Sequence, residues 1–143
     1  MITEDVTTEV VVDDGGASGR GRLVLLRLGW RECDPLAVTV VVTAQPDHPA
    51  LPRGSWVVLR DFLRYGLEEP TGDGDVRIRP DVEQDRVRLE LLHSDCRESR
   101  PCAVSLPCQT LRDFLDATER VVPAGNERSD TVIDALIDRL LQA

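Results

Sequence analysis

The stretch Trp56-Val57-Val58-Leu59-Arg60-Asp61-Phe62-Leu63-Arg64-Tyr65-Gly66-Leu67, continued by Glu68-Glu69-Pro70-Thr71-Gly72-Asp73-Gly74-Asp75-Val76-Arg77-Ile78-Arg79-Pro80, passes through strand, helix, turn and strand in one run. Ser55 to Val58 reads as a strand that leads straight into a short helix over Leu59 to Tyr65, with Leu59, Phe62 and Leu63 on one face. Gly66 stands where a left-handed C-terminal cap belongs, and Leu67 is placed to fold back on the last turn. Pro70-Thr71-Gly72-Asp73-Gly74 is turn chemistry, after which Asp75 to Arg79 alternates again and opens a second set of strands.

Working outward, Val6 to Val12, Leu23 to Leu28 and Ala37 to Thr43 are short valine-, leucine- and threonine-rich runs. They are separated by Asp13-Asp14-Gly15-Gly16, by Glu32 to Pro35 and by Gln45 to Gly54. These predict strands joined by turns, with a flexible loop around 13–21. On the other side, Arg86 to His93 and Cys102 to Leu106 continue the strands. A helix over Thr110 to Val122 turns Leu111, Phe114, Leu115 and Val121 inward and is stopped by Pro123 and Gly125. Ser129 or Asp130 caps a last helix, about 129–142, with Val132, Ile133, Leu136, Ile137, Leu140 and Leu141 on one stripe. The expected fold is α+β: mainly antiparallel sheets with three helices, in one domain over 1–143.

A chain of 143 residues is one domain's worth, since single cores stop growing at ~250 residues, and it needs no disulfide or metal to hold its core. Its net charge is −9, all 17 basic residues are arginine, and no half is strongly basic, so a polyanion partner starts at a disadvantage. Met1 to Asp14 lacks the positive start and apolar core of a targeting signal, and no apolar run approaches the ~18 residues of a membrane span. The expected location is cytoplasmic, without membrane insertion. Cys33, Cys96, Cys102 and Cys108 are then expected to be reduced thiols, and their spacing is not a CxxC pattern.

Chemistry is hard to find in these residues. Gly15 to Gly21 is glycine-rich but lies between two strands in a chain without lysine, whereas a phosphate cradle needs a strand before it and a helix after it. Asp73-Gly74-Asp75 lacks the rest of a calcium loop. His48 and His93 are near no nucleophile turn, and carboxylates are so abundant that no pair is informative. No catalytic, cofactor or metal residue is assigned.

The more specific feature is a hairpin. Alternation puts Val76 and Ile78 against Arg77 and Arg79, and Val87, Leu89 and Leu91 against Arg86, Arg88 and Glu90. Four arginines thus share one sheet face, either as a solvated face balanced by Glu90, Asp81, Glu83 and Asp85, or as a docking patch for an acidic protein segment or a phosphate backbone. Scarce aromatics weigh against a single-stranded nucleic-acid platform, where stacking gives ~1–3 kcal/mol per base. Asp130, Asp134 and Asp138 form an acidic ridge on the last helix. Arg60, Asp61 and Arg64 on the short helix, with Arg77 and Arg79 on the hairpin, are the expected partner-facing residues. Arg60 and Asp61 have a second reading as braces of the helix against the following turn.

Asp34-Pro35-Leu36-Ala37-Val38, the block Trp56 to Leu67 and the block Pro70 to Pro80 together resemble the SsgA-like proteins of actinobacteria. Leu111-Arg112-Asp113-Phe114-Leu115, Thr118 and Val122-Pro123-Ala124-Gly125-Asn126-Glu127 extend the likeness, so it covers about Gly29 to Glu127. Its motif positions are Asp34, Pro35, Trp56, Gly66, Pro70, Thr71, Gly72, Gly74 and Asp75. Leu36 replaces a usual tyrosine, Val58-Leu59 replaces Phe-Ala, and Arg79 stands where tryptophan is common.

The resemblance implies a whirly-like fold assembled as a homotrimer. It also implies a non-enzymatic regulator of sporulation-specific cell division at the septum, with no cofactor. Its partners would be the tubulin-like division protein FtsZ or other SsgA-like proteins, in septum placement or septal wall remodelling. The alternative is a single-stranded nucleic-acid-binding module that uses Arg77, Arg79, Arg86 and Arg88, with nucleic acid the less favoured partner.

Overall fold

Alternating β-branched and polar residues give each half of the chain an antiparallel meander, and each meander ends in a helix. The computed structural model describes residues 1–12, 22–43, 54–92 and 102–126. The first half comprises β1 (Ile2–Val12), β2 (Arg22–Arg31), β3 (Asp34–Thr43), β4 (Gly54–Leu59) and α1 (Arg60–Gly66). The second comprises β5 (Thr71–Asp73), β6 (Val76–Asp81), β7 (Arg86–Leu91), β8 (Cys102–Pro107) and α2 (Cys108–Val121). All neighbours pair antiparallel, in the order β4-β3-β2-β1-β8-β7-β6-β5. The halves therefore share one eight-stranded sheet, joined where Val10 faces Val104 and Val12 faces Cys102. Each half runs four strands and then a helix, although no sequence repeat announces it.

Register stacks the apolar residues on one face. Leu26 lies opposite Val6 and Val42, Val40 opposite Leu28 and Trp56, and Leu89 opposite Ile78 and Val104. Most of these are buried, with Leu26, Leu28, Ile78 and Leu89 fully so. Burial of each such side chain contributes ~1.5–3 kcal/mol before entropy is charged against it. The helices cover this face, α2 through Leu111, Phe114 and Leu115, and α1 through Leu63.

The sheet curls. Trp56 on edge strand β4 donates its indole N–H to the carbonyl of Leu92, just beyond β7, at 3.0 Å. Helix α1 touches β3 and β4 on one side and β5 and β6 on the other, so it bridges the two ends of the sheet.

Several local expectations change. Thr71–Asp73 is a short edge strand, not only a turn. Helix α1 starts at Arg60, with Leu59 extended before it and 42% exposed, so Leu63 is buried and Phe62 partly buried as expected, but Leu59 is not inward and Arg60 and Gly66 are. Gly66 is not left-handed; positive φ among the described glycines belongs to Gly74 and Gly125. Val121 is exposed, because Thr118 and Val122 take the inward positions at the end of α2. The described residues hold two helices rather than three. The expected helix at about 129–142 with Asp130, Asp134 and Asp138, the loop at 13–21, and His48, His93 and Cys96 lie outside the described residues.

Candidate interaction face

The motif residues are mostly joints of the fold. Pro35 is buried at the start of β3, and its carbonyl accepts the indole N–H of Trp30 at 3.0 Å, while Asp34 beside it is exposed. The N–H of Leu92 donates to the carbonyl of Asp75 at 2.7 Å, tying the start of β6 to the end of β7. Pro70 is exposed, and Thr71 donates its hydroxyl to the carbonyl of Glu69 at 3.0 Å. Gly72 pairs with Arg77 in β6, and Gly74 makes the β5–β6 turn at φ +60°.

The short helix corrects the expected partner-facing set. Arg60 is 1% exposed: the helix begins at this residue, which points its side chain into the core instead of toward solvent. Its guanidinium lies 5.7 Å from the centroid of the Trp30 ring and donates to Thr118 Oγ1 of α2 at 3.4 Å. Arg64 reaches Asp116 Oδ1 at 2.9 Å and Glu119 Oε2 at 2.8 Å, both on α2. Burial works to lower the Arg64 pKa, but its hydrogen bonds to the Asp116 and Glu119 carboxylates outweigh this and raise it. Both arginines thus brace α1 against α2, and of this trio only Asp61 is exposed. The second reading has Arg60 and Asp61 brace the helix against the following turn; the contacts described for Arg60 run to Thr118 of α2 and to the Trp30 ring.

The hairpin keeps its predicted alternation. Arg77, Arg79 and Arg88 are exposed on the outer face, with Val76, Ile78, Val87 and Leu89 buried beneath. Arg79 stands directly opposite Arg88, and Arg77 opposite Glu90. Glu90 Oε1 lies 3.4 Å from Arg79 Nε and 3.9 Å from Arg88 Nε, so one carboxylate is shared by two guanidiniums. Arg86 turns to β8 instead, donating to Ser105 Oγ at 3.0 Å and to the Ser105 carbonyl at 2.9 Å.

Two shallow grooves flank β6. One, of about 400 Å³, is formed by the Pro70–Gly74 segment with Arg77 and Arg79. The other, of about 430 Å³, lies over β6 to β8 between Arg79, Arg86 and Arg88, with Ser105, Glu9 and Asp81 also at its walls. Ser105 and Glu9 carried no signal in the sequence, because they reach the groove only through the β7–β8 and β1–β8 pairings.

The outer face of the other half differs in kind. Leu25, Val57 and Leu59 are exposed there, on β2 and β4, beside Asp5 and Arg27, which form a bidentate pair at 2.7 and 2.9 Å, while Leu36 is exposed at the start of β3. The hydrogen bond from Arg27 holds the Asp5 carboxyl below its usual pKa. Burial pushes the Cys102 thiol up to about 11 and, with Asp85 nearby, also raises that of Cys108; Cys33 is exposed. Among the described residues, no helix is long and apolar enough to cross a membrane, and no three His, Cys, Asp or Glu side chains are grouped to hold a metal ion.

A curled antiparallel sheet of two four-strand-and-helix halves, with the motif residues at its joints, defines the class of protein. Residues 24–127 match the family model described as "Streptomyces sporulation and cell division protein, SsgA", and the chain belongs to that family. It is 33% identical over 138 residues to the sporulation-specific cell division protein SsgB of Thermobifida fusca, covering 95% of this chain and 91% of the relative. It is 34% identical over 115 residues to SsgB of Streptomyces coelicolor, covering 80% and 79%. The crystal structure of the SsgA-like sporulation-specific cell division protein of Thermobifida fusca aligns with a TM-score of 0.73 at 28% identity, over 96% of this chain and 93% of that one. The relatives are thus division proteins of sporulation, and a regulatory role in division is the family's.

Proposed function

We propose that this protein is a non-enzymatic adaptor in sporulation-specific cell division, acting at the septum through protein–protein contacts. The observation that carries this reading is the contrast between the two outer faces of one sheet: exposed Leu25, Val57 and Leu59 around a self-paired Asp5–Arg27 over β1 to β4, and outward arginines over β6 and β7. The inner face of the described sheet is covered by α1 and α2, and two chemically different outer faces suit a protein that joins partners. Exposed Leu25, Val57 and Leu59 support self-association, as a whirly-like homotrimer by the family resemblance, since apolar side chains left in water gain by being covered. FtsZ or other SsgA-like proteins are the partners of this reading, recruited for septum placement or wall remodelling from the cytoplasmic side.

A fluorescently tagged chain is expected at sporulation septa, and its deletion is expected to change septum number. A tag that stays diffuse throughout septation, with septa unaltered in the deletion strain, overturns the adaptor reading. Light scattering on the purified chain is expected to give a trimer; a monomer at micromolar concentration overturns the oligomer. The outward arginines are also what a nucleic-acid module would need. Of the aromatic side chains described, however, only Tyr65 is exposed, and it lies on α1, away from this face.

A further inference from the structure

We infer that the outer face of β6 and β7 is a docking site for an acidic, extended protein segment whose carboxylates seat on Arg77, Arg79 and Arg88; this deepens the adaptor reading and rests on it.

Charge is the first argument. The chain carries nine net negative charges, yet three arginines point outward from two adjacent strands. Two of them, Arg79 and Arg88, face each other across the strands, an arrangement that repels in the free protein. Glu90 relieves it only in part, because one carboxylate serves both and neither distance is as short as a close charge-assisted hydrogen bond. Among the described residues, Arg77 has no ion pair within 4 Å. Asp81 and Glu9 border the groove on the Arg86 side, so the open donors of this face are Arg77 and the Arg79–Arg88 pair, where an added carboxylate would find guanidiniums that Glu90 serves only in part.

Spacing is the second argument. Arg77 and Arg79 are two residues apart on one strand, so their Cα atoms are ~6.6 Å apart, the spacing of alternate side chains in an extended chain. A segment laid along β6 with Asp or Glu at alternate positions would meet both, and the groove of Pro70 to Gly74 runs beside that path. Arg88, one strand away, would take a carboxylate from the same segment or share one with Arg79. The third argument is that, among the described residues, no exposed ring lies on this face, which favours carboxylates over bases as the occupant.

The test uses the full chain and a fluorescein-labelled peptide alternating glutamate and serine, read by polarisation at low salt. Binding is expected to weaken steeply as salt rises, and a glutamine–serine peptide is expected not to bind. The Arg79→Glu/Arg88→Glu pair should weaken binding by about tenfold or more, whereas Arg120→Glu on α2 should leave it unchanged. Glu90→Gln should tighten it severalfold by releasing both guanidiniums, a gain that misfolding cannot produce. Equal binding by the wild-type and charge-reversed chains, no gain with Glu90→Gln, or tighter binding of a single-stranded oligonucleotide than of the peptide overturns the proposal. If the peptide fails while the tagged chain still gathers at septa, the adaptor reading stands and only this face is excluded. A diffuse tag with normal septa removes the adaptor reading whatever the peptide does.

Discussion

Gly66 of α1 lies directly against Ile78 of β6: a Cβ on this glycine would stand 2.2 Å from Ile78 Cγ2 and 2.6 Å from Ile78 Cβ. Helix α1 can rest on the sheet and bridge its two ends only because that position carries no side chain. The contact is long-range and steric, which is a different reason for glycine from the cap that its place after a helix suggests.

Gly66→Ala is therefore expected to cost ~1–3 kcal/mol by overpacking, since Ile78 is fully buried and has little room to give. Gly74→Ala meets nothing within 4 Å, and its cost comes from φ +60° alone, about 1 kcal/mol. Urea denaturation separates the two: Gly74→Asn should recover most of the loss at 74, because Asn tolerates that conformation, while Gly66→Asn should be worse than Gly66→Ala. Equal tolerance of alanine and asparagine at 66 contradicts the steric account.

Arg60 acts as a core residue. Arg60→Ala removes a buried side chain beside Trp30 and the bond to Thr118, and is expected to cost ~2–4 kcal/mol. Arg60→Lys keeps the charge but loses the planar group over the ring, so it should still destabilise by about 1–2 kcal/mol. Tryptophan fluorescence followed through denaturation reports both; a stable Arg60→Ala with an unchanged spectrum speaks against this role.

Arg64 belongs to a partly exposed network with Asp116 and Glu119, and its worth is accordingly small. Arg64→Gln is expected to cost ~0.5–1 kcal/mol at low salt and less at high salt. A double-mutant cycle with Glu119→Gln should return a coupling of similar size, and a coupling of zero removes the network as a brace between the helices.

Trp56 holds the curl. Trp56→Phe keeps the ring but deletes the donor to Leu92, leaving a part-buried carbonyl without that partner, at a cost of ~1 kcal/mol or somewhat more. Hydrogen exchange should quicken selectively in β4 and at Leu92, and uniform exchange across the sheet would show that this bond does not close it.

Stability should fall at alkaline pH through Cys102. Its thiol is pushed up to about 11 from an ordinary value of 9.0, so the folded state keeps a proton that the unfolded chain releases. The stabilisation is complete below pH 9 and is lost as pH rises toward 11, to the extent of ~2 kcal/mol. Cys102→Ala should flatten the part of the pH dependence between 9 and 11. Iodoacetamide at neutral pH should label exposed Cys33 well before Cys102 or Cys108.

The alternation in Asp75 to Arg79 and Arg86 to Leu91 was legible because a strand's period of two is a local property: which face each arginine takes follows from its neighbours alone. Most strands, the α+β class and the family likeness were legible for the same reason, since they rest on runs of adjacent residues, while the short edge strand Thr71–Asp73 was not. Arg60 shows the limit. Its place on a short polar helix suggested an exposed charge, yet burial depends on where α1 lands on a curled sheet, and that is set by β4, β6 and α2 together. The same holds for Glu90 shared between Arg79 and Arg88, for Ser105 capturing Arg86, and for the glycine at 66. Pairing register and long-range contact decide these, and neither is written in any one stretch of the chain. By itself, the sequence determined which residues face in and which face out along the β6–β7 hairpin. The tertiary structure alone decided which of the outward charges meet, because cross-strand neighbours come from distant parts of the chain.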